Sequence, residues 1–348
     1  MNFAKRLLTL ALVCMMALSL TACGGGEEKV TLNVLNWGDY IDPELLDQFE
    51  DETGIEVKYS TMTSNEEMMV KLSAADCIYD VCMPSDYVIE KLVAQDLLYE
   101  LNKDNIPNLE NIDSRFLDLS FDPGNKYSVP YFWGTVGILY DTTKVNGPID
   151  SWNVLWDPQY EGEILMYDSV RDSIGVALIK LGYDINTRNE AEVLAAQEAL
   201  IEQKPLVRAY LTDDAKMELV NGTATMCVTY SGDALMAIAE NPDLAYVVPK
   251  EGSNMWFDNI IIPKTSQHTA EAEAFINFLC DAEVAKQNAE YIYYCSPNAA
   301  AIELLDEEFT ADPTFNPPQD VLDRCTVFRD LGDFITVFSD AWTKIKAA

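Results

Sequence analysis

The residues with the clearest chemical potential lie in one short stretch, Asn36-Trp37-Gly38-Asp39-Tyr40. An indole, a carboxylate and a phenol follow directly on residues 30–35, whose apolar character predicts a β-strand. Ligands of open α/β sheets bind at the carboxyl ends of the strands. Because an indole face attracts an ammonium group and a carboxylate accepts its hydrogen bonds, Trp37 and Asp39 favour an organic cation as ligand.

The same stretch also has a purely structural interpretation. Trp37 would be an ordinary core residue, while Asp42 and Pro43 would begin the next helix as its N-cap and first residue. Recurrence favours the functional interpretation, because aromatic and acidic residues are grouped again further along the chain. These groupings include Tyr230 with Asp233, and Trp256 with Asp258.

The chain is strongly acidic, with 58 Asp and Glu against 23 Lys and Arg and a formal net charge of −35. The negative electrostatic field of such a chain repels nucleic acid and anionic lipid and concentrates small cations. A nucleic-acid partner is therefore not expected. A metal site is not expected either, because His268 is the only histidine and no cysteines have CxxC spacing. No cofactor is predicted, and the six cysteines after Cys23 are expected to be free buried thiols.

The N-terminus has the features of an export signal. Lys5 and Arg6 precede an apolar run over residues 7–20, which is short for a membrane span. Leu20-Thr21-Ala22-Cys23 resembles the bacterial lipobox, which implies a signal peptide at residues 1–22 and lipidation of Cys23. Residues 23–27 would form a lipidated tether, so we expect an extracytoplasmic protein anchored to the cell membrane, on its periplasmic side or at the cell surface. The alternative is a plain secretory signal.

Apolar patterning predicts alternating strands and helices over the rest of the chain. Strands are predicted at residues 30–35, 55–60, 79–84, 163–167, 224–230, 244–248 and 259–262, and helices at residues 43–53, 65–75, 87–95, 173–181, 190–202, 268–280 and 283–291. The opening order implies parallel strands with crossover helices, so the fold class is α/β. Two such units joined by extended segments predict two lobes with a cleft between them.

Several short motifs follow one another along the chain, and no internal repeat is visible. They are Asn36-Trp37-Gly38-Asp39-Tyr40-Ile41, Glu52-Thr53-Gly54-Ile55, Tyr59-Ser60-Thr61, Pro84-Ser85-Asp86-Tyr87, Tyr127-Ser128-Val129-Pro130-Tyr131-Phe132-Trp133-Gly134, Trp256-Phe257-Asp258 and Ser296-Pro297-Asn298. Together they resemble the substrate-binding proteins of spermidine/putrescine ABC transporters, in the bacterial lipoprotein form. The resemblance implies a two-lobe periplasmic-binding-protein-like fold of type II with the ligand cleft between lobes. It also implies a non-enzymatic monomer that captures a polyamine and delivers it to the membrane subunits of an ABC permease.

The resemblance and the chemistry of polyamines together indicate which residues contact the ligand. The methylene stem needs flat apolar walls, and each ammonium group needs a carboxylate, because an unpaired charge out of water costs at least several kcal/mol. In contrast, Trp133, Trp152 and Trp156 are predicted to be core residues. The predicted ligand contacts are Trp37, Asp39, Tyr40, Ser85, Tyr87, Asp172, Tyr230, Asp233, Trp256, Asp258 and Tyr294.

Two departures from the family pattern leave the choice between putrescine and spermidine open. Spermidine-preferring members carry an acid pair where this chain has Ser169-Val170-Arg171-Asp172, of which only Asp172 matches. Phe328 stands where a Gln is expected at the distal end of the cleft. Asp233 resembles the pattern of putrescine-preferring members.

The sequence also leaves lobe boundaries and other function classes as hypotheses. We expect one lobe at residues 28–137 and 257–301, and the other at residues 138–256 and 302–348. Tyr293-Tyr294 resembles the adjacent tyrosines of ferric-ion-binding proteins of this fold, which makes iron or another small cation an alternative ligand. Paired acids would also suit an extracellular glycosidase, although no histidine, serine triad or metal set accompanies them.

Overall fold

The computed structural model of the protein describes residues 29–348, and within them the strands and helices alternate as predicted. The strands are β1 (Thr31–Trp37), β2 (Glu56–Met62), β3 (Val81–Cys82), β4 (Ser128–Asp141), β5 (Ile164–Tyr167), β6 (Val207–Leu211), β7 (Met226–Tyr230), β8 (Leu244–Val247) and β9 (Met255–Ile261). The α-helices are α1 (Pro43–Thr53), α2 (Asn65–Ser73), α3 (Asp86–Ala94), α4 (Val170–Lys180), α5 (Glu190–Gln203), α6 (Ala215–Val220), α7 (Ser231–Glu240), α8 (Thr269–Leu279), α9 (Ala282–Ile292), α10 (Ala299–Leu304), α11 (Glu307–Ala311), α12 (Gln319–Leu322) and α13 (Ile335–Ala347).

The strands form one continuous sheet in the order β2-β1-β3-β9-β4-β7-β5-β6, with β8 also paired to β4. The parallel pairing predicted for the opening units is confirmed, because β1 is parallel to both β2 and β3. Strand β4 joins the two parts of the sheet. Its residues Ser128 to Thr135 pair with β9, and Val136 to Tyr140 pair with β7, both antiparallel. The two α/β units therefore share one long strand.

The first helix begins and ends where its sequence predicts. Asp42 is the N-cap and accepts a hydrogen bond from the Glu44 amide at 3.0 Å, while Pro43 is the first helical residue. Gly54 ends the helix with a φ of 74°, a left-handed conformation that glycine adopts without strain. The turn after β1 is thereby fixed, and with it the position of the Asn36–Tyr40 stretch.

Other predicted boundaries were wrong for identifiable reasons. Helix α4 begins at Val170 and not at 173, because Ser169 caps it by accepting from the amide of Asp172. Strand β9 begins at Met255 and not at 259, since its buried polar residues interrupt the apolar pattern. Strand β3 has only two residues. Strands β4 and β6 and the helices α6, α7, α10, α11, α12 and α13 were not predicted.

The tryptophans predicted to be core residues do pack in the core. Trp152 is fully buried and Trp133 nearly so, whereas Trp156 is half-buried and donates a hydrogen bond to the Ala199 carbonyl at 2.8 Å. The six cysteines within residues 29–348 are free thiols, four of them buried. Over the same residues, no helix has the length and apolar character needed to cross a membrane. The predicted signal peptide at residues 1–22, Cys23 and the predicted tether at residues 23–27 lie outside the described residues.

Candidate functional site

A cavity of about 300 Å³ lies beside the carboxyl ends of β1, β5 and β7 and contains every residue predicted to contact the ligand. The loop after β1, the N-termini of α3, α4 and α7, strand β9 and the loop after α9 each supply part of its wall. The predicted residues found there are Trp37, Asp39, Tyr40, Ser85, Tyr87, Asp172, Tyr230, Asp233, Trp256, Asp258 and Tyr294.

Aromatic rings form a connected wall in this cavity. Tyr40 meets Tyr294 at a centroid distance of 5.5 Å, Tyr294 meets Trp256 at 5.2 Å, and Trp256 meets Tyr230 at 5.7 Å. All of these contacts are edge-to-face, the arrangement that aromatic pairs favour. A Cβ atom at Gly232 would lie 2.5 Å from the Tyr294 ring, so this close packing requires glycine there.

Asp258 lies on β9 at one end of the aromatic wall. The backbone of Asp258 pairs with that of Ser85 in an isolated antiparallel β-bridge. Burial raises the pKa of the Asp258 carboxyl to about 7. Within the described part of the chain, Oδ1 of Asp258 is buried without a hydrogen-bond partner. A cationic donor entering the cavity would satisfy this oxygen and favour the ionised carboxylate.

Asp86 supports this region from the start of α3 and was not predicted as part of the site. Its Oδ1 accepts from the Tyr87 amide at 2.6 Å, and Oδ2 accepts from the Phe257 amide at 3.1 Å. Burial raises the pKa of Asp86 to about 8, and the neighbouring charge of Asp258 adds to this shift. Asp86 therefore ties α3 to β9 and holds a second protonatable group beside Asp258.

Asp172 lies in the first turn of α4, in another part of the cavity. Its Oδ2 accepts hydrogen bonds from the Ser169 hydroxyl at 2.6 Å and from the Tyr230 hydroxyl at 3.1 Å. Burial raises the pKa of Asp172. Its Oδ1 is buried and, among residues 29–348, has no partner. Asp172 is thus a second cavity-lining acid with an unpartnered carboxylate oxygen.

A guanidinium group stands beside Asp172, and the sequence did not predict its role. The Arg171 carbon Cζ lies 4.2 Å from the centroid of Phe328, a cation–π distance, and Nη2 donates to Oδ1 of Asn186 at 3.1 Å. Phe328 is the residue that departs from the family's Gln. The two departures are therefore in contact with each other, and together they close this part of the cavity.

The cavity also contains an ammonium group that the sequence analysis missed. Lys216 on α6 places Nζ 2.8 Å from Oδ1 of Asp233 and 3.9 Å from Oδ2 of Asp39. Burial lowers the pKa of Lys216, but the neighbouring carboxylates, Asp233 first, outweigh it and raise the pKa overall. An acidic stretch followed by apolar residues at 215, 219 and 220 is the signal that would have predicted α6.

The arrangement suits an organic cation better than a metal ion. The buried hydroxyl of Tyr40, whose oxygen can accept from an ammonium group, has no hydrogen-bond partner in the described chain. No group of three or more His, Cys, Asp or Glu in residues 29–348 has a geometry that would hold a metal ion. Tyr293, invoked for ferric-ion binding, is absent from the cavity lining and packs on Phe309 at 5.7 Å.

Comparisons with known proteins agree in family and fold. Residues 44–317 match the family described as bacterial extracellular solute-binding protein. A spermidine/putrescine-binding periplasmic protein of Salmonella typhimurium is 36% identical over 334 residues, covering 95% of this chain and 96% of the relative. A putrescine-binding periplasmic protein of Pseudomonas aeruginosa is 33% identical over 99% of both chains.

A solved structure is also similar to this protein over most of its length. A spermidine/putrescine ABC transporter substrate-binding protein of Streptococcus pneumoniae is 41% identical and has a TM-score of 0.80, with coverage of 92% of this chain and 99% of that chain. The predicted α/β fold of the periplasmic-binding-protein type is confirmed. The chain belongs to the bacterial extracellular solute-binding proteins and, within them, is similar to the substrate-binding proteins of spermidine/putrescine ABC transporters.

Proposed function

We propose that this protein captures a polyamine, putrescine or spermidine, outside the cytoplasm and delivers it to an ABC importer. Asp172 and Asp258 carry the proposal, because both line the same aromatic-walled cavity and each has a buried carboxylate oxygen without a partner among the described residues. A polyamine matches this pattern, since ammonium groups alternate with methylene segments along its length. The names of the similar proteins support the same ligand class.

The residues predicted from the sequence have distinct roles in this proposal. Trp256, Tyr294 and Tyr40 would cover the methylene stem and make cation–π contacts, each worth about 0.5–2 kcal/mol. Asp258 and Asp172 would accept from ammonium groups, with Ser85, Tyr87 and Tyr230 completing the polar contacts around them. The remaining predicted ligand contacts, at the other side of the cavity, are Trp37, Asp39 and Asp233.

Delivery would follow from closure of two lobes on the ligand, without any chemical step on it. We place one lobe at residues 28–137 and 257–301 and the other at residues 138–256 and 302–348. The change of pairing partner on β4, between Thr135 and Val136, supports a boundary at this position. Ligand contacts from both lobes would favour the closed form, and a monomer in this form would dock on the permease.

Anchoring through lipidated Cys23 would keep the protein close to the permease at the outer face of the cell membrane. The lipobox-like Leu20-Thr21-Ala22-Cys23 and the family membership support this location. No enzyme activity is part of the proposal.

Calorimetric titration of the purified protein tests the proposal directly. Putrescine, spermidine, ferric iron and a panel of sugars are titrated separately into the same preparation. We expect saturable binding of at least one polyamine and no binding of iron or sugars. Binding of iron or a sugar in place of both polyamines would overturn the proposal.

A further inference from the structure

We propose that the ammonium group of Lys216 occupies the position beside Asp233 that an additional ammonium group of a ligand would otherwise take. Lys216 would thereby lower the preference of the site for triamines over diamines. This inference rests on the proposed polyamine function and concerns its specificity. Lys216 and Asp233 come from different helices, α6 and α7, and meet only in the folded protein.

The ion pair is built into the cavity wall. The side chains of Lys216 and Asp233 are exposed by only 10% and 9%, and Nζ and Oδ1 are 2.8 Å apart. The ammonium nitrogen of Lys216 also lies 3.9 Å from the sulfur atom of Met236. Such burial distinguishes this pair from the surface ion pairs of the molecule, which exchange readily with solvent.

The carboxylates of the cavity differ in whether they already form an ion pair. Oδ1 of Asp172 and Oδ1 of Asp258 are buried and lack a partner within residues 29–348, whereas Oδ1 of Asp233 accepts from Lys216. A ligand ammonium group can pair with either of the first two carboxylates without displacing a protein cation. An additional ammonium group could reach Asp233 only by breaking its ion pair with Lys216, whose ammonium group stays tethered to the chain.

The charges around Lys216 show what its removal would do. Asp39, Asp213 and Asp233 all face it, and the Tyr167 hydroxyl donates to Oδ1 of Asp213 at 3.4 Å. Three acidic side chains therefore surround one ammonium group in this corner of the cavity. Without Lys216 the corner would have no cation, and a ligand ammonium group would gain the carboxylate that Lys216 now holds.

The test separates ligand charge from ligand length. Putrescine, spermidine and a mono-acetylated spermidine, which keeps the length but loses one charge, are titrated into wild-type protein and Lys216→Met. We expect the variant to raise the spermidine-to-putrescine affinity ratio by about tenfold or more, and to raise the preference for spermidine over its acetylated form similarly. The double variant Lys216→Met with Asp233→Asn should lose this gain, because the released carboxylate is gone.

The matched control is Lys250→Met, which removes a lysine from an exposed ion pair with Asp150 and should leave the ratio unchanged. Lys216→Gln, a neutral residue that still donates to Asp233, is measured in parallel and decides the question if Lys216→Met does not fold. An unchanged ratio in a folded Lys216 variant, with polyamine binding intact in the wild type, would overturn this inference alone. Absence of polyamine binding by the wild type would overturn the proposed function as well.

Discussion

The hydroxyl group of Tyr230 lies 3.1 Å from Oδ2 of Asp172, across 58 positions of the chain. The hydrogen bond joins the end of β7 to the first turn of α4, and the Ser169 hydroxyl binds the same oxygen at 2.6 Å. Because both donors bind Oδ2, Oδ1 is left without a hydrogen-bond partner among residues 29–348. The carboxylate is therefore held in one orientation before any ligand arrives, which lowers the entropy cost of binding.

Asp172→Asn tests whether this carboxylate meets the distal ammonium group of the longer ligand. We expect wild-type protein to bind both polyamines, with affinities within about two powers of ten, or about 3 kcal/mol. The variant should weaken spermidine more than putrescine, and competitive titration measures both. Equal losses would show that Asp172 acts on a shared part of the site, and no loss for either ligand would remove it from the site.

Asp258→Asn tests whether the carboxylate of Asp258 pairs with an ammonium group of the ligand. Loss of one partner in a desolvated charge pair should weaken polyamine binding by about 2–5 kcal/mol. Calorimetry measures the loss, and circular dichroism confirms that the variant is folded. Asp150→Asn, in an exposed pair with Lys250, is the matched control and should bind as the wild type does. Unchanged affinity in folded Asp258→Asn would mean that Asp258 does not contact the ligand.

The raised pKa of Asp258 predicts a pH dependence of binding. In the ligand-free protein this pKa is about 7, so the carboxyl is largely protonated at pH 6 and ionised at pH 8. Because an ammonium group binds the ionised form, affinity should fall by up to about tenfold per pH unit below pH 7. Titrations at pH 6 and 8 measure this change. A pH dependence equally steep in Asp258→Asn would assign it to another group.

The raised pKa of Asp258 also predicts that the ligand-free protein becomes less stable as the pH rises, whereas its affinity for a polyamine should increase. The native pKa of Asp258, about 7, lies above its ordinary value of 3.8, so the native state binds more protons between these values. The contribution of Asp258 to the free energy of unfolding is thus fully present below about pH 4 and is lost as the pH rises through 7. At pH 8, Asp258→Asn should unfold at a higher temperature than the wild type. An equal or lower unfolding temperature would contradict this.

Anchoring is tested at Cys23. Cys23→Ala should release the protein from membranes or leave an unprocessed precursor, because the sulfur atom that would carry the lipid is missing. Membrane fractionation with immunodetection measures the distribution. A processed Cys23→Ala protein that stays fully with the membrane would contradict lipidation at this residue.

Short sequence patterns correctly predicted those helix ends and strands that depend on interactions between residues close together in the sequence. The N-cap at Asp42, the glycine stop at Gly54 and the apolar strand β1 follow from interactions within a few residues, and the structure confirms them. The aromatic and acidic residues of the site came from motifs of the family resemblance, and the structure brings them to one cavity.

The missed residues depend on contacts between distant parts of the chain. Lys216 lies on a six-residue helix and acquires its importance only through Asp233 on the next helix. Arg171 was assigned to a loop because α4 was predicted to begin late, although Ser169 and Asp172 form a capping pair. Its stacking on Phe328 joins residues far apart in sequence, which no local pattern reveals.

The position of β9 between β3 and β4 affects how the chain folds as it is synthesised. Cys82 of β3 and Ser128 of β4 both pair with Ile261, so the first part of the sheet stays open until that residue has been made. At about 5–20 residues per second, the ribosome needs roughly 6–23 seconds to pass from the end of β4 to the start of β9. During this delay β3 and β4 lack the strand that lies between them in the finished sheet.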